Sequence, residues 1–171
     1  MRTTRQTASI ESLRVDQATA IPGKTVDVVV GLRPYKAKAL TFRTIAIPVP
    51  DTLQKGYMLQ VLATDATADR YLARSLRPGA FRPSEFAQVV RLIEEQENNK
   101  TLVVSALLPD LGITARGETL PCLPSSFLAM MGGSLSRSRG NYARGAVTAT
   151  LATPWVLSGT QSTSVVVGEE E

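Results

Sequence analysis

The chain of 171 residues contains no histidine. That removes the commonest general base and the commonest imidazole metal ligand at one stroke. It has one cysteine, Cys122, so an intramolecular disulfide is excluded. Set between Pro121 and Leu123, with no histidine to activate it, Cys122 reads as a small core residue rather than a nucleophile. Aromatic residues make up only 5%. A core must therefore be assembled from Val, Leu, Ile and Ala, with Trp155 and a few Tyr and Phe as large fillers. No apolar run approaches the length of a membrane span, and Met1 to Thr7 is too polar to begin a signal peptide. The sequence is thus expected to be soluble, with any export address lying upstream if it is part of a longer polypeptide.

What is present is ordinary for a folded domain. Hydrophobic residues account for 43% and charged residues for 20%, which argues against wholesale disorder. The length suits a single domain spanning 1–171. The net charge is +4, from 19 basic and 15 acidic residues. The basic residues read as spread along the chain, with an acidic end at Glu169 to Glu171, so nucleic-acid binding is not expected.

The first half carries a strand pattern. Ser9 to Val15 opens it, Pro22-Gly23 turns it, and Val26, Val28, Val30 and Leu32 then alternate with Thr25, Asp27 and Arg33. Leu40 and Phe42 share one parity while Ile45, Ile47 and Val49 share the other. A β-bulge near Arg43-Thr44 would bring all five inward. Pro48 and Pro50 end that strand or mark a sheet edge. Gly56 then permits a turn into Tyr57, Leu59 and Val61.

From Asp65 the period lengthens. Asp65 is placed to cap a helix over Ala66 to Ser75, with Ala68, Tyr71, Leu72 and Leu76 at helical spacing, ended by Arg77-Pro78-Gly79. Ser84 is placed to cap a second helix, favoured by Glu85 at its start. Its Phe86, Val89, Val90 and Ile93 form an i, i+3, i+4, i+7 stripe, read as packing on the sheet. Glu94, Glu95 and Glu97 crowd its C-terminal end, where the macrodipole disfavours them. Thr101 to Leu108 is apolar on both faces, as a covered strand is, and Gly112 to Leu120 suggests another. Pro124 to Met131 reads as a short helix and Gly133 to Gly145 as a polar loop. Strands return over Ala146 to Ala152, Trp155 to Leu157 and Ser162 to Val167.

Candidate chemistry is sparse. Gly133-Ser134 and Ser158-Gly159 are the serine–glycine neighbours that invite a nucleophile, but neither sits in a nucleophile elbow, and a triad lacks its histidine. For a Ser-Lys dyad, Lys24, Lys36, Lys38, Lys55 and Lys100 all fall in turn-like or exposed contexts. Asp65 and Asp69 are explained by capping and the helix dipole, and no calcium-loop pattern exists. Arg137, Arg139 and Arg144, with Asn141 and Tyr142, could meet a phosphate or carboxylate but read as a solvated loop. Asn99-Lys100-Thr101 fits the glycosylation sequon, a match common by chance. No catalytic, cofactor or metal residue is assigned.

Several segments, in order, resemble a known family: Pro22 to Val28, Leu32 to Tyr35, Ile47-Pro48, Lys55 to Tyr57, Phe81-Arg82-Pro83, Arg91-Leu92-Ile93, Leu120 to Ser126, and Trp155 to Thr160. Together they resemble the C-terminal region of secreted bacterial proteins that carry a SpoIVB-type serine peptidase domain upstream. The resemblance covers most of residues 9 to 167. That family's nucleophile and histidine lie in the peptidase domain, so no catalytic residue carries over. The resemblance implies an extracytoplasmic, periplasmic or secreted, accessory domain contacting a protein partner, the upstream peptidase domain or an envelope component.

The expectation is then an immunoglobulin-like β-sandwich of α+β class. It has a helical insertion around 65–98 and a short helix near 124–131, and it serves as a non-catalytic binding module. The alternative is a self-assembling structural protein of an envelope or phage.

Overall fold

The computed structural model describes residues 6–78, 81, 86–94, 97–115, 118–120, 123–124, 126–127 and 141–168; at 110–111, 113–115, 118–119 and 141–142 it describes the backbone alone. The fold is mainly β with two helices, arranged as a β-sandwich-like α+β structure. It divides into two compact units. One comprises Met1–Asp69, Glu97–Leu107 and Ala146–Glu171; the other comprises Arg70–Gln96 and Leu108–Gly145.

The first unit is the sandwich. Its strands are β1 (Thr7–Val15), β2 (Thr19–Ala20), β3 (Thr25–Pro34), β4 (Thr41–Pro48) and β5 (Met58–Thr64). They are joined by the start of β6 (Thr101–Ala115). The second unit holds a short β7 (Glu118–Leu120), and β8 (Asn141–Ala152) leads back into the first, followed by β9 (Val156–Ser158) and β10 (Thr160–Val167). One sheet has the order β4-β3-β1-β9. The other has β2-β10-β5-β6-β7, with β8 also paired to β6. β1 packs across the interior onto β10 and β5, so the core lies between the sheets.

β3 shows why the alternation works. Val26, Val28, Val30 and Leu32 are all buried, and each such side chain contributes about 1.5–3 kcal/mol by leaving water. Opposite them stand Ile45 and Ile47 of β4 and Ile10 of β1. Two tight turns hold this part in register. Lys24 N–H donates to the Ile21 carbonyl (3.1 Å) and Tyr57 N–H to that of Gln54 (3.2 Å). Gly23 (φ 78°) and Gly56 (φ 82°) occupy the third turn position, which demands a positive φ.

The bulge lies elsewhere than the sequence suggests. β3 and β4 pair without a break from Thr25–Pro48 to Leu32–Thr41, and Phe42 points outward with 56% of its surface exposed. The register shift is in β1, where Ile10 faces Leu32 but Ser12 faces Gly31. The extra residue is Glu11. It switches parity so that Ala8 and Ile10, and then Leu13 and Val15, face the same side. Gly31 is required there: a Cβ would stand 2.1 Å from the Ser12 hydroxyl and 3.2 Å from the Phe42 ring.

The expected insertion is present as α1 (Ala66–Leu76) and α2 (Phe86–Glu94). Asp65 caps α1, its Oδ1 accepting from the amides of Thr67 (2.9 Å) and Ala68 (2.8 Å). Ser84, Glu85, Glu95, Cys122, Ser134, Arg137 and Arg139 lie outside the described residues. So does most of the expected 124–131 helix, of which one turn, Phe127 N–H to the Pro124 carbonyl, is described. Residues 141–145 are strand, not loop, because they open β8, and β6 continues to Ala115 rather than stopping at Leu108.

Candidate functional site

Each serine–glycine and acidic candidate within the described residues has a structural task. Gly159 (φ 105°) joins β9 of one sheet to β10 of the other in a single residue, and its N–H donates to Asp65 Oδ2 at 2.9 Å. Ser158 is an exposed β9 residue paired with Ser9. Asp69 follows Asp65 by one turn, its N–H donating to the Asp65 carbonyl. Arg144 donates from Nε to the Leu108 carbonyl at 2.6 Å, tying β8 to β6. In the sequon, the backbone carbonyl of Asn99 accepts from Leu157 N–H, and Thr153 donates from N and Oγ1 to the Lys100 carbonyl. Glu11, the bulge residue, accepts from Arg33 Nε at 2.7 Å and from the Ser9 hydroxyl. The Arg33 hydrogen bond chiefly holds its carboxyl below the usual value. Among the described residues no group of three carboxylates or cysteines converges for a metal, and no helix is long and apolar enough to cross a membrane.

The second unit presents the unusual surface. None of the nine residues of α2 is buried. Phe86 is 82% exposed and Ile93 62%, with Val89 and Val90 between them also exposed. The least exposed positions are Gln88 and Leu92. At 3.6 residues per turn these lie roughly 130° round the helix from the apolar stripe. The hydrophobic side of the helix is thus well exposed at Phe86 and Ile93 and over one-third exposed at Val89 and Val90, rather than buried as the spacing suggests. α1 behaves similarly. Ala66 alone is buried, and Tyr71, placed by spacing with Ala68, Leu72 and Leu76, is 69% exposed. Arg70 and Arg74 are exposed and Arg77 half-buried, at the i, i+4, i+7 spacing of one helix face; the Arg74 guanidinium stands over the Phe81 ring, 5.6 Å from its centre. Leu120 and Phe127 of the same unit are also exposed.

Charge divides the same way. The second unit contains nine arginines, five carboxylates and no lysine, a balance of +4. The first contains ten basic and ten acidic residues, including all five lysines. This partition is hidden from the sequence, because the second unit is assembled from two separate segments. No protein-family model matches the chain, and neither the curated proteins nor the solved structures contain a match.

Proposed function

We propose that the chain is a non-catalytic binding module whose helical unit docks a protein partner. In keeping with the resemblance to SpoIVB-type peptidase-associated regions, the module belongs to an exported bacterial protein and follows its peptidase domain. One observation carries the binding role: no residue of α2 is buried, and Phe86 and Ile93 of its apolar stripe stand well exposed. Contiguous exposed apolar surface of this kind marks interaction sites in soluble domains. A rigid sandwich suits such a role, because it displays a surface without supplying chemistry.

The test places a photo-crosslinking phenylalanine analogue at Phe86, at Ile93 and, as control, at exposed Gln60 of β5, in the organism that encodes the chain. The expected result is one and the same protein captured from positions 86 and 93 and not from 60. Capture of only a second copy of the chain would favour the self-assembling alternative. Equal capture at all three positions would overturn the reading. The coding sequence upstream of Met1 tests the placement: an in-frame peptidase domain is expected, and a stop codon removes it.

A further inference from the structure

We infer that Arg43 keeps the open edge of β4 from pairing with a second copy of this chain. Among the described residues β4 pairs with β3 alone, and it ends its sheet with 8 residues, whereas β9 at the opposite edge has 3. The hydrogen bonds around β3 show which backbone groups are left over. Val49 N–H, just past β4, donates to the Lys24 carbonyl at 2.8 Å, and Asp16 N–H, just past β1, donates to the Asp27 carbonyl at 3.0 Å. Asp27 therefore turns its backbone groups toward β1, and Ala46, opposite it on β4, turns its own away from β3. Alternation then sends the amides of Phe42, Thr44 and Ala46, and the carbonyls of these residues and Pro48, out along the edge. Such a row is a template for another strand, and the edge of an identical chain carries the same row.

Arg43 obstructs that pairing. It shares the parity of buried Ile45 and Ile47 and lies opposite buried Val30, so it stands on the core side of the sheet, yet it is exposed. Two antiparallel β4 strands can bring their outward groups together in registers centred on Arg43, on Thr44 or on Ile45. These set Arg43 against the second copy's Arg43, Ile45 or Ile47, respectively. β4 holds no carboxylate, so each register confines a guanidinium with its like or with an apolar side chain at the rim of the core. An inward-pointing charge is one of the ways by which edge strands resist such contacts.

The test is the mass of the full chain in solution, by sedimentation equilibrium, with circular dichroism to check that each variant keeps its strands. Arg43→Val is expected to associate to about twice the parent's mass or more, while Arg43→Lys keeps the parent's mass. Thr44→Val, which adds an apolar group on the outer side of the same strand, should also keep it. Adding Thr44→Pro to Arg43→Val removes an outward amide and should return the mass to the parent's. Hydrogen exchange gives a second reading that needs no proline. The amides of Phe42, Thr44 and Ala46 should exchange readily in the parent and be protected in Arg43→Val. Arg43→Val at the parent's mass, or associating without protection of those amides, would overturn the inference. So would equal association of Thr44→Val, or amides already protected in the parent.

Discussion

Asp65 and Gly159 hold each other from both sides: the Gly159 amide donates to Asp65 Oδ2 at 2.9 Å, and the Asp65 amide donates to the Gly159 carbonyl at 3.3 Å. The other carboxylate oxygen caps α1. One side chain thus fixes where α1 begins and where the chain passes from β9 to β10. Asp65→Ala should destabilise the protein by about 1–3 kcal/mol, the sum of a lost cap and an orphaned amide. Gly159→Ala should lose about 1–3 kcal/mol through its left-handed backbone, since the nearest atom to a new Cβ is at an ordinary 3.4 Å. Urea unfolding of the two single variants and the double checks this. Strict additivity would contradict the coupling described here.

The bulge makes a different prediction. In Gly31→Ala the new methyl meets the Ser12 hydroxyl first and the Phe42 ring second. The expected loss is about 1–3 kcal/mol. Adding Ser12→Ala should recover part of it, because the remaining Ser12 Cβ lies 3.4 Å away. A double variant no more stable than Gly31→Ala would show that the strain lies at Phe42 instead.

Glu11 sets a pH dependence of known sign. Its folded pKa is lowered, chiefly by the Arg33 hydrogen bond, so its contribution is present above the unfolded carboxylate pKa of about 4.3 and is lost as pH falls through the lower folded value. Glu11→Gln should therefore be less stable than the parent at neutral pH and indistinguishable from it in strong acid. The group is exposed, so the difference should shrink in high salt. A difference that grew on acidification would reverse the assignment.

The outward stripe and the inner core should respond oppositely to truncation. Phe86→Ser, at a position 82% exposed, should change stability by no more than about 0.5 kcal/mol. Leu32→Ala, fully buried, should lose about 2–5 kcal/mol. Thermal melts of the two variants are sufficient. A large loss at Phe86 would mean that the side chain is covered within the fold.

The sandwich was legible where side-chain parity is unbroken. Val26 to Leu32 alternate cleanly because both neighbouring strands lie in register on them, and Asp65 announces α1 through the chemistry of its carboxylate. Parity alone mislocates the bulge because Phe42, although apolar, lies across the outer face beside a glycine that has no side chain of its own. Nothing in the residues around Glu11 signals an insertion, since Ser, Glu and Ser suit an outer face in either register. For α2, amphipathic spacing reveals an apolar side but not which way that side turns. That depends on tertiary contacts, which spacing alone does not encode.

The parallel pairs impose an order on assembly. Thr7 lies opposite Val156 and Thr19 opposite Val166, so the earlier strands of the sandwich wait for its later ones before either sheet is complete. Pairings this distant in sequence close slowly, since the loop entropy is lost before the contacts form. During synthesis β1 and β5 emerge well ahead of β10, which packs across the core on β1 and pairs edge to edge with β5. The nascent sandwich is therefore an open half-core until its final strand arrives, and the interval before closure is when aggregation threatens it most.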